Sequence, residues 1–140
     1  MRLFLFDSSV YIAALRRGQD AILALRRLEP AATLWLSSVV LEELYAGAGP
    51  KDHAVVERLE SDFHKARRIL VPNLGDWAQT GKVLARLGAK HGYEEIGRGR
   101  LTNDALIATS AGRVGIAVIT ANAGDFARLA EFCSFMWLAV

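Results

Sequence analysis

The chain has 140 residues, of which 52% are hydrophobic, and this is enough for one domain with a substantial core. Its formal net charge of +2 permits a nucleic-acid partner, but the chain lacks the dense Lys and Arg stripe that would indicate one by itself. A single cysteine, Cys133, excludes an internal disulfide and a cysteine zinc cluster, and it favours a reducing, cytoplasmic compartment. We expect a soluble protein with no membrane contact, because no apolar run approaches the roughly 20 residues that span a bilayer and the first segment is too short for a signal peptide.

The first predicted element is a strand that is buried on both faces. Residues 3–6 read Leu-Phe-Leu-Phe without a polar interruption, which is typical of a parallel strand covered by helices. Asp7 follows directly, and we expect Ser8 or Ser9 to cap a helix that ends at Gly18. Because ligands of open α/β folds bind outside the carboxyl ends of strands, Asp7 lies where sites are built.

The next predicted units are a helix that begins at Asp20 and is ended by Pro30, and then a second buried strand at residues 33–37. Ser38 is expected to cap a helix that carries Glu42 and Glu43 near its start. Successive helical residues differ by about 100° around the axis, so only one of these two glutamates can face inward.

Strands and helices continue to alternate along the chain. The remaining predicted elements are a helix at 52–68, a strand at 68–71, a helix at 76–91, a helix at 101–109, a strand at 116–120 and an edge strand at 135–138. This order predicts a three-layer α/β/α sandwich with a mainly parallel central sheet, formed by residues 1–140 as a single domain.

The segment at residues 92–100 is rich in glycine and charge, and it precedes the helix at 101–109. Loops beside functional sites often carry binding groups. Arg98 and Arg100 are therefore candidates for contacting the backbone of a substrate.

Several acidic or amide side chains are expected at one edge of the predicted sheet. Asp104 lies at the start of a helix, and Asn122 and Asp125 follow the strand at 116–120. A single acid at a helix start is explained by the helix dipole. The coincidence of these residues with Asp7 and an inward-facing glutamate indicates a site.

Three or four carboxylates in one place repel one another, and burial raises their pKa values. A divalent cation removes this conflict, and a ligand set of oxygen atoms without Cys or paired His favours Mg²⁺ or Mn²⁺. Such an ion activates water and stabilises negative charge on a phosphodiester. No serine–histidine or cysteine–histidine pair is evident, so the residues favour metal-assisted phosphodiester hydrolysis over covalent catalysis.

Four motifs resemble, in order, those of the PIN-domain ribonucleases and, among them, the VapC-type toxins of toxin–antitoxin pairs. They are FDSSV at 6–10, SVVLEEL at 38–44, NDALIA at 103–108 and TANAGDF at 120–126. The resemblance covers essentially the whole chain. It implies a Mg²⁺- or Mn²⁺-dependent endoribonuclease in which Asp7, Glu43 and Asp104 surround the metal, with Glu42 as the second choice for the glutamate.

The resemblance also implies roles for other residues and for partners. Asp125 is implied as the fourth acid, whereas Asn122 stands where many PIN domains have an acid and an amide is a weaker ligand. Ser9 and Thr120 are implied to bind metal-bound water or to orient the carboxylates. The implied partners are RNA, a second copy of the chain in a homodimer, and a cognate antitoxin that lays a peptide across the groove.

Two alternatives remain open at this point. One is a non-catalytic RNA-binding or protein-interaction module built on a PIN fold, although Asp7, Glu43, Asp104 and Asp125 are all present. The other is a haloacid-dehalogenase-like phosphatase, which also places an Asp after its first strand. That class uses a second Asp two residues later, where this chain has Ser9, and a suitable catalytic lysine is not obvious.

Overall fold

The computed structural model describes residues 2–18, 20–27, 32–96 and 101–140. The strands are β1 (Arg2–Phe6), β2 (Ala32–Ser37), β3 (Ile69–Leu70), β4 (Ala117–Thr120) and β5 (Trp137–Ala139). The helices are α1 (Ser8–Arg17), α2 (Asp20–Arg27), α3 (Ser38–Gly47), α4 (His53–Lys65), α5 (Leu74–His91), α6 (Tyr93–Ile96), α7 (Thr102–Val114) and α8 (Ala123–Leu129), with a 3-10 turn at Pro50–Asp52. Among the helices described, none combines the length and apolar character needed to cross a membrane.

The five strands form one sheet in the order β3-β2-β1-β4-β5, and every described pairing is parallel. The central strand is β1, in which Phe4 pairs with Leu34 of β2 on one side and with Ala117 of β4 on the other. Its residues Phe4 to Phe6 are buried, because helices cover both faces of the sheet. The predicted buried parallel strand is confirmed.

The strand order determines where the helices lie. The chain runs outward from β1 to β2 and β3, and then crosses back to β4 and continues to β5. Because crossovers between parallel strands are right-handed, α1 to α4 cover one face and α5 to α8 cover the other. This is the predicted α/β/α sandwich. The direction of travel reverses between β1 and β4. Open α/β sheets bind their ligands in the crevice at such a point, outside the carboxyl ends of the strands.

The helix α7 is held rigidly in the core. Its residues Ala105 to Ala111 are all buried, and a helix that is buried on all sides must satisfy its polar groups internally. The hydroxyl of Ser110 does so by donating a 2.7 Å hydrogen bond to the carbonyl of Leu106. The first turn of α7, which carries Asp104, therefore extends from a fixed element.

Two helix caps differ from the prediction. The cap of α1 is Asp7, whose carboxylate accepts from the Ser9 amide, and not Ser8 or Ser9. The cap of α3 is Ser37 rather than Ser38. Both predictions were wrong because each strand passes directly into its helix, so the last residue before the helix takes the capping position.

Other boundaries also differ. α5 begins two residues before the predicted Asp76, because Asn73 and Asp76 form a reciprocal capping box ahead of it. α7 extends past Thr109 and ends at Gly115, whose φ of 74° is the left-handed conformation that terminates helices. Asp20 begins α2 as predicted, whereas Pro30 lies outside the described residues.

The helix α8 was not predicted, since it follows directly on the polar residues after β4. Its residues Phe126 and Leu129 are buried, and this packing against the core stabilises a helix of only one to two turns. It carries Asp125 in its first turn. The predicted edge strand is confirmed at β5.

Candidate active site

Asp7 lies at the carboxyl end of β1, beside the end of β4, and is only 2% exposed. Its backbone amide continues the sheet by donating to the carbonyl of Ile119 at 2.9 Å. Its Oδ1 accepts from both the amide and the hydroxyl of Ser9, and its Oδ2 accepts from the hydroxyl of Thr120 at 2.8 Å. The carboxylate is therefore fixed through both oxygens.

The two hydroxyls that bind Asp7 are themselves held by the chain that follows β4. The amide of Ala121 donates to Ser9 Oγ at 3.0 Å, and the amide of Asn122 donates to Thr120 Oγ1 at 2.8 Å. Each hydroxyl thus accepts from the backbone and donates its proton to Asp7. This chain of bonds fixes the direction in which Ser9 and Thr120 donate.

Burial raises the pKa of the Asp7 carboxyl above its ordinary value, although the hydrogen bonds from Ser9 and Thr120 and from nearby backbone amides lower it in part. The ionised carboxylate is therefore costly in this position. A cation bound next to it removes that cost, because it attracts the charged form.

Glu43 lies in the second turn of α3 and is half-buried, whereas its neighbour Glu42 is exposed. Burial raises the pKa of Glu43, hydrogen bonds from Ser8 and Asn103 lower it, and the charges of Glu42 and Asp7 raise it again. Asp7 and Glu43 are thus close enough for their charges to repel. Within the described part of the chain, the buried Oε1 of Glu43 has no hydrogen-bond partner.

The first turn of α7 meets α3 at this point. Asn103 Nδ2 donates to Glu42 Oε2 at 3.2 Å. Asp104 is the next residue, is half-buried and lies in the same first turn. The structure therefore brings the start of the third motif to the two glutamates of the second.

Asn122 and Asp125 lie at the start of α8, where Asn122 is exposed and Asp125 is half-buried. Asn122 Nδ2 donates to Asp125 Oδ2 at 2.8 Å, and this contact is exposed. The pair is connected to Asp7 because the backbone of Asn122 binds Thr120, which binds Asp7. Asp125 is thus linked to the crevice through three hydrogen bonds in series.

The donor set is suited to a hard divalent cation. Carboxylates at Asp7 and Glu43 repel each other, and one buried carboxylate oxygen lacks a partner in the described part of the chain. Within residues 2–18, 20–27, 32–96 and 101–140, however, no three His, Cys, Asp or Glu side chains already converge in the geometry of a metal site. Asp7 and Glu43 could hold such an ion, with Asp104 and Asp125 as further oxygen ligands.

Two polar residues near Glu43 were missed from the sequence, and two predicted site residues are not among those that the structure describes. Ser8 and Asn103 both lower the pKa of Glu43, yet neither was assigned a role at the site, although each stands beside a predicted acid within its motif. Arg98 and Arg100, the predicted RNA contacts, lie outside the described residues.

Comparisons with known proteins give a family and a fold. The family model described as PIN domain matches residues 4–132, and the comparison with curated proteins gives no match. Among solved structures, DNA-bound VapBC from Salmonella typhimurium is 22% identical with a TM-score of 0.70, over 99% of this chain and 98% of its own. VapBC2 from Rickettsia felis, bound to a promoter DNA fragment, is 19% identical with a TM-score of 0.62, over 99% and 98%. VapBC-1 from nontypeable Haemophilus influenzae is 22% identical with a TM-score of 0.63, over 98% and 97%. Because the family model spans most of its length, the chain belongs to the PIN-domain family.

Proposed function

We propose that the protein is a Mg²⁺- or Mn²⁺-dependent endoribonuclease that acts as the VapC-type toxin of a toxin–antitoxin pair. The observation that carries the proposal is the meeting of Asp7 and Glu43 at the reversal point of a PIN-domain sheet. Two like charges with raised pKa values in a crevice are typical of a site that binds a counter-ion.

In this proposal Asp7, Glu43, Asp104 and Asp125 hold the cation, either directly or through water. When bound, the ion lowers the pKa of a coordinated water and offsets the charge that develops on the phosphodiester. Ser9 and Thr120 keep both oxygens of Asp7 in a fixed orientation. The Asp7 side chain therefore loses little conformational freedom when it binds the cation.

The substrate and the partners belong to the same proposal. The four motifs resemble those of VapC-type ribonucleases, so we assign RNA as the substrate, with Arg98 and Arg100 as contacts to its phosphates. Three of the solved structures that share the fold are VapBC structures, which supports a cognate antitoxin partner. The homodimer is proposed from the resemblance of the four motifs to those of VapC-type toxins. We place the activity in the cytoplasm, where the buried free thiol of Cys133 stays reduced.

One alternative remains and one is excluded. The family assignment shows that the haloacid-dehalogenase-like phosphatase alternative is wrong. A PIN fold that binds RNA without cutting it remains the second candidate, since no preformed three-ligand cluster exists among the described residues.

Controlled expression in a bacterial host tests the proposal. The wild-type chain should arrest growth and generate new RNA ends that sequencing can map, whereas Asp7→Asn, expressed to the same level, should do neither. Growth arrest by both proteins without new RNA ends would favour the non-catalytic module, because binding alone does not need the carboxylate.

A further inference from the structure

We propose that Asn103 is a positioning residue that ties Glu42 and Glu43 together and fixes Glu43 for the cation. This inference rests on the proposed function, since it assigns a role within the same crevice. Asn103 was not among the predicted site residues, and its contacts connect α3 to the start of α7.

The contacts of Asn103 involve both glutamates. Its Nδ2 donates to Glu42 Oε2 at 3.2 Å, and the same side chain is near enough to Glu43 to lower the pKa of that carboxyl. A primary amide carries two N–H donors and no charge. It can therefore bridge two carboxylates that repel each other without adding to the repulsion, which neither an acid nor an apolar residue can do.

The bridge leaves one oxygen of Glu43 available. Ser8, at the start of α1, also lowers the pKa of Glu43, so polar groups of both α1 and α7 lie near this side chain of α3. Even so, Glu43 Oε1 is buried and has no hydrogen-bond partner among the described residues. A buried carboxylate oxygen is costly when unpaired, and a cation in contact with it would remove that cost.

The support behind Asn103 is stiff. The following residues of α7, from Ala105 to Ala111, are fully enclosed by the core. A positioning group on such an element holds its partner more precisely than one on a loop. Loss of the amide should therefore loosen Glu43 rather than the fold.

Mn²⁺ binding measured by calorimetry tests this inference on the whole chain. Asn103→Leu keeps the shape of the side chain and removes its donors, and it should weaken Mn²⁺ binding by about 10-fold or more, the usual effect of losing a group that orients a metal ligand. The KM for RNA should stay within about twofold while kcat falls, because the substrate contacts are untouched. Gln79→Leu, which removes an exposed amide from α5, is the matched control and should bind Mn²⁺ like the wild type.

The possible outcomes separate this inference from the proposed function. If the wild type binds Mn²⁺ and cuts RNA but Asn103→Leu binds the ion equally well, the role of Asn103 is contradicted and the nuclease stands. If the wild type neither binds Mn²⁺ nor cuts, the proposed function fails and this inference fails with it. Should Asn103→Leu not fold, Asn103→Ser and Asn103→Ala decide the matter. Ser retains a donor and should bind Mn²⁺ more tightly than Ala, and equal affinities would overturn the inference.

Discussion

Thr120 donates a 2.8 Å hydrogen bond from its hydroxyl to Oδ2 of Asp7, although 113 positions separate the two residues in the chain. The bond joins the ends of β1 and β4, the neighbouring strands between which the sheet reverses direction. It is buried and holds one oxygen of the Asp7 carboxylate, while Ser9 holds the other. The geometry of the candidate site therefore depends on a strand pairing that only the folded chain provides.

Thr120→Val tests this contact, since valine has the same shape but no hydroxyl. The variant should lose about 1–3 kcal/mol of unfolding free energy, because a buried carboxylate oxygen loses its donor. Cleavage should fall by about 10- to 100-fold, because Asp7 is no longer held. Urea unfolding and single-turnover cleavage measure the two effects, and full activity in the variant would show that the bond does not orient the site.

Asp7→Asn should abolish cleavage and stabilise the fold at neutral pH. Burial raises the pKa of Asp7 above its ordinary value of 3.8. Between pH 3.8 and the raised pKa, the carboxyl is therefore protonated in the folded protein but ionised in the unfolded chain. The wild type therefore loses stability as the pH rises from 3.8 through the raised pKa, whereas the variant has no such group. Asparagine also remains a good helix cap at this position.

The measurement for Asp7→Asn is the melting temperature of both proteins across this pH range in EDTA. The advantage of the variant should be smallest below pH 3.8 and should grow to a plateau near neutrality. A difference that does not change with pH would mean that the charge on Asp7 is not costly in the folded state.

The two glutamates of α3 should differ in their importance. Glu43→Gln should reduce kcat by about 10²- to 10³-fold, because it removes a charge beside the cation in the proposed site. Glu42→Gln should cost at most about 10-fold, since Glu42 is exposed and glutamine still accepts from Asn103. Parallel assays of the two variants compare them directly, and the reverse order would assign the catalytic role to Glu42.

The ion pair between Asp76 and Arg113 should contribute to stability but not to activity. Burial alone would raise the pKa of Asp76, but the hydrogen bonds and charge of Arg113 and the amide of Asn73 lower it below its ordinary value of 3.8. Arg113→Ala should cost about 2 kcal/mol, less than a fully buried pair, because the Arg113 side chain is 39% exposed.

The pH dependence of the Arg113→Ala effect has a definite sign. Because the pKa of Asp76 is lower in the folded protein than in the unfolded chain, the ionised carboxylate stabilises the fold above pH 3.8. This contribution is lost as the pH falls through the pKa of Asp76 in the folded protein. The gap between wild type and variant should therefore close in acid. Urea unfolding at several pH values checks this, and a gap that widens in acid would contradict the assignment.

Much of the fold could be predicted because its signals are local. The uninterrupted run before Asp7 indicates a doubly buried strand, and the alternation of strands and helices then indicates a parallel sheet. These features place Asp7 at the carboxyl-terminal edge of the sheet. By contrast, α8 was missed because its helix depends on burying Phe126 and Leu129 against the rest of the core.

The details of the site could not be predicted from the sequence for a related reason. The capping role of Asp7 depends on where β1 ends, and the bridging role of Asn103 depends on how closely α7 approaches α3. Both are tertiary relationships with no fixed spacing in the chain. The motifs do place Ser8 and Asn103 next to the acids Asp7 and Asp104, and that adjacency is the one signal that could have identified them.

The most direct test of the central claim is cleavage of a mixed RNA panel by the purified, antitoxin-free protein in Mg²⁺, in Mn²⁺ and in EDTA. Asp7→Asn, purified identically, controls for contaminating nucleases. We expect cleavage that requires the metal and disappears in the variant. Cleavage that persists in EDTA or in Asp7→Asn would contradict a metal-dependent nuclease centred on Asp7.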